Sequence, residues 1–230
     1  MTCNRVRQYG TFLLLTAASL CSAVAGSISV DARDSDGKPL ANTVITLLGP
    51  ETVPVMNNPL PVVRQRDLQF DPHVLVIRQD TNVVFPNLDD TRHQVFSFSA
   101  VKRFSTRLFG GEESPPIHFD KLGLVPVGCN IHDQMHAYIY ITNAPQFAVT
   151  DQSGRALFND LPAGDYQLAA FHPWQPDPTA QQYHRLTLAE DVMPKGAGHW
   201  TVTVATLRPD PREQERASNP LLPKKPFLRR

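Results

Sequence analysis

The chain has 230 residues, with 22 Lys plus Arg against 22 Asp plus Glu. That balance implies no strongly basic face and argues against a nucleic-acid partner. Twenty-one prolines and little helical periodicity argue against a helical protein.

The N-terminus reads as a secretory signal over residues 1–25. Arg5 and Arg7 form a basic start, Thr11 to Leu20 a short apolar stretch, and Ala23-Val24-Ala25 a small-x-small cleavage site. The apolar stretch is short for a bilayer span, which needs roughly 20 residues. A periplasmic or secreted protein starting near Gly26 is therefore expected. Cleavage removes Cys3 and Cys21 and leaves Cys129 alone, so no internal disulfide can form. A lone thiol in an oxidising compartment is a liability that metal coordination would remove.

Downstream the pattern is β. The segments 74–77, 81–85, 138–141, 166–171 and 200–204 are rich in Val, Ile, Phe and Tyr and read as strands. Turn signals separate such runs: Asp34-Ser35-Asp36-Gly37, Gly110-Gly111, Asp151-Gln152-Ser153-Gly154 and Pro162-Ala163-Gly164-Asp165. The expected fold class is all-β, built as β-sandwiches. From about Arg208 the composition changes to frequent proline, with seven basic residues against three acidic. Residues 207–230 are expected to be a disordered, mildly basic tail.

The chemistry concentrates in Cys129-Asn130-Ile131-His132-Asp133-Gln134-Met135. A thiolate, an imidazole and a thioether within seven residues suit copper. Two His, one Cys and a weak axial Met are the ligand set of a blue-copper electron-transfer site. His93 is the candidate for the second imidazole. The expected metal residues are thus His93, Cys129, His132 and Met135, holding one type 1 copper. Zinc is the rival metal, since Cys and His also hold it, but a thioether is a poor zinc ligand. His136 follows Met135 directly and could compete for the axial place. In a strand, alternation would point it to the opposite face. The remaining histidines (His73, His118, His172, His184, His199) stand singly and read as surface or hydrogen-bonded residues.

His93 followed by Cys129-x-x-His132-x-x-Met135 resembles the cupredoxins of plastocyanin and amicyanin type. Phe70-Asp71-Pro72-His73-Val74-Leu75-Val76 and Phe85-Pro86-Asn87 are similar to that family's approach to its first histidine. The resemblance covers roughly residues 65–143. It implies a Greek-key sandwich with three ligands on one short loop and the fourth on a neighbouring strand. This chain departs from the pattern with Gln94 after His93, Gln134 before Met135 and Asp133 beside the ligands.

A second resemblance lies in residues 146–171, which look like a carboxypeptidase regulatory-like (transthyretin-like) β-sandwich. The opening motif of that family is matched far upstream by Val30 to Leu40 before Val44-Ile45-Thr46-Leu47. The expected organisation is therefore an insertion. Residues 27–49 and 146–206 complete the regulatory-like sandwich, and residues 50–145 form the copper domain between them. The combination resembles methylamine-utilization-type proteins, which implies a periplasmic cytochrome or quinoprotein partner. Related sandwiches bind carbohydrate or act as spacers, so a weak carbohydrate or surface contact is an accessory expectation. An electron carrier is expected rather than an enzyme, because His-x-His pairs, paired carboxylates and a Ser-His-Asp arrangement are not evident. The alternatives are copper storage or delivery, and a non-metal carbohydrate- or surface-binding sandwich.

Overall fold

The computed structural model describes residues 26–50, 60–111, 115–177, 181–188 and 198–206. The leader expected at residues 1–25 and the tail expected at 207–230 lie outside the described residues. Among the described residues every regular element is a strand, so the chain is all-β, as its composition implied.

One group of strands comes from the two ends of the described chain. These are β1 (Gly26–Arg33), β2 (Val44–Leu48), β12 (Gln146–Val149), β13 (Arg155–Leu161), β14 (Gly164–Phe171), β15 (Gln182–Leu188) and β16 (Gly198–Thr203). They form a three-stranded sheet in the order β13-β1-β16 and a four-stranded sheet in the order β12-β2-β14-β15. Alternation in β1 sends Ile28, Val30 and Ala32 inward, all at 0% exposure. They meet Ile45, Leu47, Leu168 and Leu186 from the other sheet in one core. The first strand is completed by partners more than a hundred residues downstream: Val30 pairs with Ala156 and with Trp200.

The turn before β13 shows how sequence fixes this register. The Asp151 side chain accepts hydrogen bonds from the backbone N–H groups of Ser153 (2.9 Å) and Arg155 (3.0 Å). Gly154 then takes φ +76°, and a Cβ there would lie 2.5 Å from the carbonyl oxygen of Ala32. Only glycine meets both demands without strain.

The middle of the chain builds a second core. Its main sheet has the order β5-β11-β10-β7-β8. The strands are β5 (Val74–Arg78), β7 (Phe96–Phe98), β8 (Arg103–Ser105), β10 (Gly123–Cys129) and β11 (His132–Thr142). Two antiparallel pairs accompany it: the hairpin of β3 (Arg64–Arg66) with β4 (Gln69–Asp71), and the long-range pair of β6 (Thr81–Val83) with β9 (Ile117–Phe119). Phe70, Phe85, Phe119, Val125, Ile139 and Ile141 fill the space between, each at most 2% exposed.

The long strand β11 belongs to two cores. Met135, Ala137, Ile139 and Ile141 face the middle core, whereas Tyr138 and Tyr140 face the other way. There they meet Val44, Phe147, Val149 and Phe171 of the terminal strands, together with Val74 and Val76 of β5. The Tyr140 and Phe171 rings stack at 4.8 Å. The Trp174 indole N–H donates to the Tyr138 hydroxyl at 3.1 Å. This third cluster is an apolar contact between the two groups of strands.

Candidate metal centre

Cys129 closes β10 and His132 opens β11, with Asn130 and Ile131 as the two-residue turn between them. Cys129 and His132 are cross-strand partners. The short ligand loop expected from sequence is therefore a hairpin whose ligand candidates stand on strand ends. The register explains how Met135 comes to face the same core as Cys129. Pairing runs regularly down to Gly128↔His136, then jumps to Cys129↔His132. Asp133, Gln134 and Met135 consequently bulge from the ladder. An even alternation would place residues 132 and 135 on opposite faces, and a bulge resets that alternation. Met135 ends 1% exposed in the same core as Cys129, while Asp133 and Gln134 stay exposed.

Gly128 lets the rest of the sheet close on this hairpin. It pairs with Phe96 of β7, and a Cβ on it would stand 3.1 Å from the Phe96 ring. That ring covers the strand one residue before the thiol.

His93 comes from outside the named strands. It makes an isolated bridge with Phe109, in which each backbone N–H donates to the other's carbonyl (2.8 and 2.9 Å). The segment that presents it is folded around Asn87, which is 5% exposed. The Asn87 amide donates to the carbonyls of Thr91 (2.9 Å) and Phe109 (3.0 Å), and its oxygen accepts from the Asp89 N–H (3.0 Å). Asp89 then reaches His93: its Oδ2 lies 2.8 Å from His93 Nε2. The same carboxylate accepts the backbone N–H groups of Asp67 (2.6 Å) and Leu68 (3.1 Å) in the β3–β4 turn. Burial pushes the Asp89 carboxyl up, but the hydrogen bonds from His93, Leu68 and Asp67 outweigh it and hold it below the usual carboxylate range.

These elements converge on one point. Cys129 Sγ lies 3.7 Å from His93 Nδ1 and 3.8 Å from His132 Nδ1. The three ligand atoms all lie within 4.8 Å of one another. Bonds of about 2.0 Å to nitrogen and about 2.3 Å to sulfur, as for zinc, put nitrogen and sulfur about 3.6 to 3.8 Å apart around a tetrahedral or trigonal ion. The observed separations fit an ion at the centre. His93 and Cys129 are buried, while His132 is half-buried beside the exposed Ile131. One imidazole thus anchors the site inside and the other reaches towards the surface.

His136 points to the opposite face from Met135, where its ring meets His73 (5.2 Å) and Tyr138 (6.0 Å). It is not part of the three-residue cluster. His118 pairs with Asn82 and Asp80 near the surface, and His172 is buried against Trp174. Sequence reasoning missed the supporting roles of Asn87 and Asp89. The four-residue spacing of Asp89 and His93 was visible, but outside a helix that spacing carries no contact by itself.

No protein-family model matches the chain, and no curated protein matches it. Several solved structures are similar to part of it. A Cu-containing nitrite reductase from Thermus scotoductus SA-01 is 30% identical over 37% of this chain and 23% of its own, with a TM-score of 0.35. A mutant amicyanin in its reduced Cu(I) form is 15% identical over 42% of this chain and 99% of its own, also at 0.35. A purple cupredoxin from Nitrosopumilus maritimus is 16% identical over 36% of this chain and 99% of its own, at 0.33. The chain thus spans less than a quarter of the nitrite reductase.

Proposed function

We propose that the chain is an exported mononuclear copper protein that carries single electrons to or from a periplasmic redox partner. The observation that supports this most directly is the convergence of His93 Nδ1 and His132 Nδ1 on Cys129 Sγ, at 3.7 and 3.8 Å. Two imidazoles and a thiolate form the trigonal set of type 1 copper, and Met135 is the axial candidate. A copper ion bound there would supply a one-electron couple. The protein residues would hold it with little freedom. Cys129 and His132 are fixed by the hairpin, Met135 by the bulge, and His93 by the Asn87 and Asp89 network. Burial of Cys129 and His93 keeps water from the thiolate side. Half-exposed His132 gives a short route to a docked partner, a cytochrome or quinoprotein in this reading. The terminal strands, in the regulatory-like reading, are a scaffold packed on the back of β11.

The test is a visible spectrum of the protein with one equivalent of Cu(II), beside Cys129→Ser. An intense thiolate-to-copper band, absent from the variant and bleached reversibly by a mild reductant, is expected. Copper that binds but is lost readily to a chelator, without reversible reduction, would favour storage or delivery. Normal folding with no band and no copper uptake would leave zinc or a non-metal sandwich.

A further inference from the structure

The geometry points to Asp89 as a positioning residue that fixes the tautomer and orientation of His93 and tunes the metal held there. This rests on the copper reading above. The His93 side chain is fully buried, and the Asp89 side chain is 12% exposed. With Oδ2 of Asp89 2.8 Å from Nε2, an ionised carboxylate can only accept, so the proton sits on Nε2. The lone pair of Nδ1 is then directed at the point it shares with Cys129 Sγ.

Asp89 is itself held. Its backbone N–H donates to Asn87, and its two oxygens take the N–H groups of Asp67 and Leu68. Asp67 and Leu68 both have positive φ (54° and 58°), which turns their N–H groups into the carboxylate. The carboxylate is thus anchored on one side to backbone and on the other to the imidazole, leaving the ring little rotation. Carboxylate partners of metal-bound histidines raise ligand basicity, and their loss typically costs 10- to 100-fold in metal affinity. A negative charge held next to the ligand also favours Cu(II) over Cu(I), so it lowers the reduction potential.

Asp89→Asn and Asp89→Ala in the full chain separate these effects. Asparagine can keep its oxygen on His93 and Leu68 while removing the charge and the acceptor for the Asp67 N–H. The Cu(II)-over-Cu(I) affinity ratio should then fall about tenfold, raising the potential by about 59 mV. Alanine removes the His93 acceptor as well, so copper affinity should fall at least tenfold. In the metal-free protein, nitrogen NMR should show His93 locked as the Nε2–H tautomer and released in Asp89→Ala. A purely structural role would lower thermal stability and leave potential and tautomer unmoved, and that outcome would overturn the inference. A wild type with no thiolate-to-copper band would overturn the copper reading, and this role with it. A wild type with the band, whose potential and tautomer ignore both substitutions, would overturn the role of Asp89 alone.

Discussion

His172 should make the protein sensitive to mild acid. It is 1% exposed and directly follows β14. Its Nδ1 accepts the backbone N–H of Trp174 (3.2 Å), so its Nε2 carries the proton and donates to the Ala41 carbonyl (3.2 Å). Both ring nitrogens are satisfied in the neutral form. Protonating Nδ1 would set it against the Trp174 N–H. Burial lowers the imidazole from its ordinary 6.5 to about 4, and the Ala41 hydrogen bond offsets only part of this. The folded value is therefore below the unfolded one. Between about pH 6.5 and 4 the unfolded chain binds a proton that the folded chain refuses. The stability contribution is complete above pH 6.5 and is lost as pH falls towards 4. At about 1.36 kcal/mol per pH unit, the loss by pH 4 is about 3 kcal/mol. Urea unfolding at pH 7.5 and pH 4, on wild type and His172→Gln, isolates it. The variant can start less stable, but its drop between the two pH values should be smaller by about 3 kcal/mol. Equal drops in both proteins, or an NMR titration of His172 with an ordinary midpoint, would refute the reasoning.

Three further outcomes follow from the packing. Gly154→Ala should cost about 2 to 4 kcal/mol in urea unfolding, because the new methyl meets the Ala32 carbonyl at positive φ; a loss under about 0.5 kcal/mol would count against that turn geometry. Phe171→Ala should cost about 3 to 5 kcal/mol by removing the ring stacked on Tyr140 between the two groups of strands. A loss near that of a surface residue in the same assay would mean the contact is not formed in solution. Arg155→Met should destabilise at neutral pH, and less so in acid. The Arg155 hydrogen bond, against the opposing effect of burial, holds the Asp31 carboxyl below its usual range. That stabilisation is present above the ordinary carboxylate value and fades as pH falls through the lowered one. A wild-type-minus-variant difference that stays constant from pH 7 to pH 2.5 would contradict it.

The residue chemistry of the site was legible because it is local: a thiol, an imidazole and a thioether within seven positions narrow the candidates before any fold is known. Placing His93 beside them was an inference from chemistry, and its ring is now seen facing Cys129. The bulge at Asp133 to Met135 was not legible. The sequence shows a spacing of three, and only the jump in pairing reveals how Met135 can turn into the core while His132 stays on the site. Asp89 was passed over for a related reason. Its partners are His93 four residues on and Asp67 and Leu68 some twenty residues back, so its role arises from tertiary closure. The five runs read as strands, 74–77, 81–85, 138–141, 166–171 and 200–204, fall on β5, β6, β11, β14 and β16, whereas short strands such as β3, β4, β7, β8 and β9 carry too few β-branched and aromatic residues to stand out. Strand partners were harder, since β1 pairs across more than a hundred residues.

Strand β11 ties these separate observations together. Its odd-numbered residues from Met135 to Ile141 line the core that holds Cys129, and its tyrosines meet the terminal strands. A one-residue slip of a strand exchanges its two faces. A slip here would carry Met135 out of the metal-side core and drive Tyr138 and Tyr140 into it. The register that seats the terminal strands on β11 is therefore the register that keeps Met135 buried in the core that holds Cys129. The apolar contact at Phe171 and Tyr140 stabilises both at once. On this argument the terminal strands contribute to the candidate metal centre through the frame of β11, without placing a side chain in the His93–Cys129–His132 cluster.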